Sequence, residues 1–203
     1  MTGLRTRKKA ESRQRMLDVA KQLFIERGYS RTTMEEIADQ AGFGVATVYN
    51  YFNTQEGIFA AMARDDMSEL ERQGEQLLGR LPEDPVVAVY DLLLVYNRVY
   101  QFISYGVMQE FIIHAKSNGP LHEISSWVLG WQKNQVTRAL GQCQARGSVS
   151  EKLNCELAAE IVIDLFVRHT QRLTGSAERP PPPEHLKLAL ALILHGWLQD
   201  PAA

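Results

Sequence analysis

The stretch Thr33–Phe52, TMEEIADQAGFGVATVYNYF, leaves little freedom to the chain that contains it. Met34, Ile37, Ala38 and Ala41 recur at helical spacing, so a short first helix has one apolar face that must pack inward. Gly42 ends that helix, because glycine adopts the left-handed backbone that turns a chain sharply, and Gly44 stands where the next helix is capped. A second helix is expected over about Val45 to Phe52. Val48 and Phe52, four apart, face inward and leave Ala46, Thr47, Asn50 and Tyr51 facing out. Two short helices about a glycine turn describe a helix-turn-helix, whose second helix enters the DNA major groove.

At these residues the chain resembles the tetracycline-repressor (TetR) family of transcriptional regulators. The family's pattern, T-x-x-x-I-A-x-x-A-G-V-S-x-x-T-x-Y-x-Y/H-F-x-x-K-E/D-x-L, is matched at Thr33, Ile37, Ala38, Ala41, Gly42, Thr47, Tyr49, Tyr51, Phe52, Glu56 and Ile58. Gly44 replaces the usual capping serine, Val45 a polar or basic residue, and Gln55 the usual lysine. The resemblance covers roughly the first third of the chain. It implies an all-α protein with a DNA-binding domain over 1–53 and a ligand-binding and dimerisation domain over 54–203. It also implies that the last two long helices of each subunit form a four-helix dimer interface.

Charge distribution agrees with a DNA-directed end. Net charge is −2 over 203 residues, yet residues 1–31 hold nine lysines and arginines against three acids, a local +6 that leaves −8 on the remainder. A basic end on an acidic body aims one end at phosphate. The first fifteen residues are polar and basic and carry no apolar leader, which points to the cytoplasm. Cys143 and Cys155 have no metal-ligand spacing and read as small buried hydrophobes.

Further along, an apolar stripe predicts a helix over Arg13–Arg27, stopped by Gly28, with Tyr29 closing its lower edge; Met1–Lys9 reads equally well as a frayed tail. Thr33 with Glu36 has the capping-box spacing. A connector helix follows Asn53 and Thr54 to about Leu81. Helices are then predicted over Val86–Tyr105, Val107–Lys116, Leu121–Ala145, Cys155–Leu173 and Glu184–Gln199, the last after a run of prolines. The terminal helix is apolar nearly all round, so it needs both its own domain and a partner subunit to bury it.

These readings name three sets of site residues. Val45, Ala46, Thr47 and Asn50 face bases, with Asn50 suited to adenine, while Thr33, Thr47, Tyr49, Tyr51 and the basic N-terminal residues approach phosphates; Gln55 holds the lysine position. An apolar or aromatic effector is expected among Tyr96, Tyr100, Phe102, Tyr105, Met108, Phe111, Trp127, Trp131 and Gln135. Val162, Phe166, His169, Leu190, Ile193 and Trp197 are expected at a homodimer interface. His114, His122, His169, His185 and His195 form no metal-ligand or triad pattern, so neither a metal, a cofactor nor catalysis is expected, and charged interruptions in the apolar helices argue against a membrane span. The function expected is a ligand-responsive dimeric regulator, most readily a repressor. The alternative is a helical small-molecule-binding or partner-binding dimer with weakened DNA binding.

Overall fold

The computed structural model describes residues 2–98, 118–175 and 183–198, and every regular element among them is helical. Helix α1 runs over Thr2–Arg27, well before the Arg13 start that periodicity gives. Residues 3–11 are all exposed, so no buried face exists for periodicity to report; one-turn pairs such as Arg7–Glu11 support those turns instead. From Met16 onward the helix buries Met16, Leu17, Ala20, Leu23 and Phe24. Gly28, at φ 84°, ends it, and a 3₁₀ turn over Tyr29–Arg31 tucks Tyr29 against Phe24 and Phe59, with ring centroids 5.6 and 5.1 Å away.

Helix α2 spans Met34–Ala41 and α3 spans Val45–Phe52. The Thr33 hydroxyl accepts from the Glu36 amide while the Glu36 carboxylate accepts from the Thr33 amide. Such reciprocal caps contribute about 1 kcal/mol. Gly42 sits at φ 74°, ψ 35°, and the Phe43 amide donates back to the Ala38 carbonyl, closing the end of α2. Ile37, Ala38 and Val48 are fully buried, which fixes the rotation of both helices about their axes.

Helix α4 spans Gln55–Leu78. It is entered through Asn53, at φ 61°, and Thr54, whose hydroxyl accepts from the Gly57 amide. Ion pairs Arg13–Asp65 (3.0 Å) and Lys21–Asp66 (2.8 Å) join its first half to α1. It stops three residues short of the expected Leu81 because Gly79 follows and the Arg80 amide folds back on the Leu77 carbonyl. Helix α5 spans Pro85–Asn97, α6 Pro120–Ala145, α7 Cys155–Gly175 and α8 Pro183–Leu198. The start of α5 combines Pro85 at its first position with Asp84, whose carboxylate accepts from the Val86 and Val87 amides. The expected extension to Tyr105 and the helix over Val107–Lys116 lie outside the described residues.

The chain divides into two compact units: residues 1–67 with the start of α6 to Ser126, and residues 68–98 with the chain from Trp127 onward. The boundary expected at residue 53 falls inside the first, which takes in the first half of α4. There Glu56 accepts from the Leu121 amide (3.4 Å) at the start of α6, and its carboxylate occupies the space that a Cβ on Gly119 would take. In the second unit α8 packs chiefly on α5, burying Leu186, Leu190 and Leu194 at helical spacing. Cys143 is buried, whereas Cys155 is half-buried with its Sγ against Gln144 Oε1, more open than its sequence reading suggests.

Candidate nucleic-acid interface and effector site

Because Val48 and Phe52 turn inward, α3 presents Val45, Ala46, Tyr49 and Asn50 to solvent, with Thr47 and Tyr51 half-buried at its edges. Gly44 has no side chain to cap α3, so the first amides of the helix lack the usual cap. A helix N-terminus in that state favours a phosphate. Thr33 is exposed at the start of α2, its hydroxyl already engaged by Glu36. Glu36 is also held by Arg27 at 2.8 Å, so one of the basic charges counted in the sequence is spent inside the fold.

Two sequence-named residues are tied down by contacts that sequence did not reveal. The Tyr51 hydroxyl donates to the Lys9 carbonyl of α1 (3.4 Å), and the Lys9 ammonium lies 5.9 Å from the centre of the Tyr51 ring. Gln55 donates from Nε2 to the Tyr29 carbonyl at 2.6 Å, so its amide serves the 3₁₀ turn. The sequence assigns the N-terminal cations to phosphates without saying which element they lie beside. Thr6, Lys9, Ala10 and Arg13 line a cleft of about 550 Å³ with Asn50 and Tyr51, which brings one face of α1 to the recognition helix. The three- and four-residue spacing of that face is the signal that finds it.

Of the nine residues named for an effector, Tyr96, Trp127, Trp131 and Gln135 are described, and the second unit brings them together. Tyr96 and Trp131 meet edge-on at 5.2 Å, Trp127 and Trp131 at 6.4 Å. Phe166 of α7 reaches the same tyrosine at 6.1 Å. The buried Tyr96 hydroxyl donates to Gln135 Oε1 (2.9 Å), and Gln135 Nε2 donates to the Glu71 carbonyl and to Glu75 Oε1. Arg138 completes the chain by donating to Glu75 at 2.7 Å. Burial, with the Glu75 charge added, pushes the Tyr96 phenol far above its ordinary range, so it stays a neutral donor. Tyr100, Phe102, Tyr105, Met108 and Phe111 lie outside the described residues.

The residues named for a dimer interface divide. Val162, Phe166 and Leu190 are buried within the chain's own fold, and His169 and Ile193 are half-buried; the side chain of Trp197 lies outside the described set. Among the described side chains, the large apolar ones that α7 and α8 expose are Leu157 and Ile161, and Leu188 and Leu192, each pair four residues apart. Val162, Phe166 and Leu190 therefore serve the chain's own core, because both stripes of these helices are apolar and periodicity does not say which of them meets it.

Among the described residues no group of three or more His, Cys, Asp or Glu is placed to hold a metal ion, and no helix is long and apolar enough to cross a membrane.

Residues 16–62 match the profile of the bacterial regulatory proteins, tetR family. The uncharacterized HTH-type transcriptional regulator YdgC of Bacillus subtilis is 36% identical over 100 residues, 48% of this chain and 50% of that protein. Matches to two further HTH-type regulators span 37% and 39% of their lengths, so over these relatives the chain spans half or less. TtgR of Pseudomonas putida, another HTH-type transcriptional regulator, is 29% identical over 189 residues, 86% of this chain and 87% of it. In structure, FadR of Thermus thermophilus, a TetR-family transcriptional repressor in complex with lauroyl-CoA, superposes with a TM-score of 0.69 at 22% identity. It covers 94% of this chain and 98% of its own. That likeness shows the fold.

Proposed function

We propose, from the premise that the chain is a TetR-family transcriptional regulator, that it is a cytoplasmic, dimeric, ligand-responsive repressor of a near-palindromic operator. The observation that carries this reading is the surface of α3. Val45, Ala46, Thr47 and Asn50 lie together on its outer side, beside the basic face of α1 and an uncapped helix start. Asn50 offers the amide that pairs with adenine, Val45 and Ala46 offer apolar contact to a thymine methyl, and the cations take phosphates. A dimer sets two such helices one turn of DNA apart, about 34–36 Å, or a multiple of it.

The effector binds at the aromatic cluster of Tyr96, Trp127 and Trp131. Its binding shifts α4, which runs from Gln55 beside the recognition helix to Leu78, and the two α3 helices lose their groove spacing. The dimer forms through the exposed apolar sides of α7 and α8. The direct test is a gel shift of the chain's own upstream DNA at about 150 mM salt, with random DNA as competitor, because affinity quoted without salt has no meaning. Preferential retention of the upstream fragment supports the reading. Equal competition by random DNA favours the second reading, a helical small-molecule-binding dimer with weakened DNA binding, for which the engagement of Gln55 by Tyr29 is the specific observation.

Two substitutions separate base contacts from phosphate contacts. Asn50→Ala is expected to relax preference at one operator position by about 1–3 kcal/mol, whereas Tyr51→Phe, which frees the Lys9 end of α1, weakens binding to all sequences alike. Equal losses on operator and random DNA for Asn50→Ala remove it from the base-reading set. Gln55→Lys is expected to tighten binding to operator and random DNA similarly. At about 0.9 per phosphate, a symmetric dimer steepens the slope of log K against log salt by roughly 1.8. An unchanged slope means that the lysine keeps the glutamine's bond to the Tyr29 carbonyl and never reaches DNA.

A further inference from the structure

One buried polar atom among the described side chains is left over. The indole Nε1 of Trp131 is buried without a hydrogen-bond partner, on a side chain only 7% exposed. A donor withdrawn from water and given nothing in exchange keeps its whole desolvation cost. Buried polar atoms are paired as a rule, and an exception marks a place that something else completes.

The surroundings state what that something is. Trp131 is flanked edge-on by Tyr96 and Trp127. The polar groups nearby are committed to one another: the Tyr96 hydroxyl to Gln135, the Gln135 amide to Glu71 and Glu75, and the Glu75 carboxylate to Arg138. What remains among the described residues is a single buried, unspent N–H donor in an aromatic setting.

We infer that Trp131 Nε1–H is the point at which the body recognises its effector, and that the effector is an uncharged, largely aromatic molecule carrying one hydrogen-bond acceptor, such as a ketone or ester oxygen. This rests on the reading of the Tyr96–Trp127–Trp131 cluster as the effector site. An ionised ligand is disfavoured because the two charges of the network that reaches this cluster, Glu75 and Arg138, are already paired with each other, so its own charge would be buried without a partner from that network. A hydrocarbon of the same shape is disfavoured because it leaves the indole donor unpaired, and a site built around a donor rejects the analogue that lacks the acceptor.

A matched pair of probes tests this: 2-acetonaphthone, and 2-ethylnaphthalene, which has nearly the same shape and no acceptor. Both are titrated into the full-length protein by equilibrium dialysis. The ketone is expected to bind about ten-fold tighter or more, and the preference to fall below about two-fold in Trp131→Phe, which keeps a ring and removes the donor; ten-fold corresponds to about 1.4 kcal/mol. A measurement on the unaltered protein guards against a variant that fails to fold. In ¹⁵N-labelled protein the Trp131 indole N–H resonance moves downfield with the ketone and not with the hydrocarbon. Equal affinity for the two probes, or a resonance that moves alike with both, overturns the Trp131 assignment while leaving the cluster as the binding site. Failure of both probes to bind overturns the effector-site reading and the assignment with it.

Discussion

Leu192→Glu combined with Leu188→Glu is expected to turn the proposed dimer into monomers in sedimentation and to lower operator affinity by about two to four orders of magnitude. Both side chains are more than half exposed on α8, where neither is needed by the chain's own core. Large apolar side chains stacked four apart on one helix face mark a surface that another surface covers. Charges placed there lose nothing inside the subunit, so the variant keeps its helical content and melting behaviour. The affinity loss follows from linkage: each half-operator contact strengthens the other only while the two recognition units are joined, and that gain is commonly about 10² to 10⁴. A double variant that stays dimeric places the interface elsewhere. Leu190, one of the residues that the sequence puts at the dimer interface, is fully buried, and a charge there would report on folding instead.

Gly57→Ala is expected to destabilise the first unit by about 2–4 kcal/mol, the range for a forced backbone shift in a packed region. A Cβ on Gly57 meets the carbonyl oxygen of Phe52, with the Thr54 hydroxyl 3.3 Å away. The obstacle is backbone and cannot rotate aside. It is also the backbone that ends the recognition helix, since the Phe52 carbonyl accepts from the Thr54 amide at 2.7 Å. Stability falls, and so does DNA affinity at temperatures where the unit is still folded, because α3 must tilt to admit the methyl. A melting temperature within a degree or two of the parent would show that the turn yields at little cost.

The sequence made the helix-turn-helix legible because four independent signals coincide within it: the capping pair Thr33 and Glu36, the αL glycine Gly42, and the inward pairs Ile37 with Ala38 and Val48 with Phe52. The early turns of α1 were not legible, since exposed helix carries no apolar stripe. The partners of Tyr51 and Gln55 were hidden for another reason. Each bonds a backbone carbonyl far away in sequence, at Lys9 and at Tyr29, and a carbonyl has no residue-type signature. The aromatic cluster was legible as composition, from the four-residue spacing of Trp127 and Trp131. The closing of its polar groups on one another, and the one donor left out, required the positions of α4, α5 and α6 together.

One contact within the second unit reaches beyond this single chain. A Cβ on Gly74 would collide with the side-chain amide of Gln135, whose oxygen receives Tyr96 and whose nitrogen serves Glu71 and Glu75. Positions 74 and 135 are therefore not free to drift separately. In any relative that keeps this packing, a side chain at 74 comes with a shorter residue at 135, and the phenol at 96 then loses its acceptor and gives way to phenylalanine. The three positions should change as a set across related genomes, so a glycine on α4 becomes a marker, readable from sequence alone, for which relatives share this buried hydrogen-bond network and which have built another.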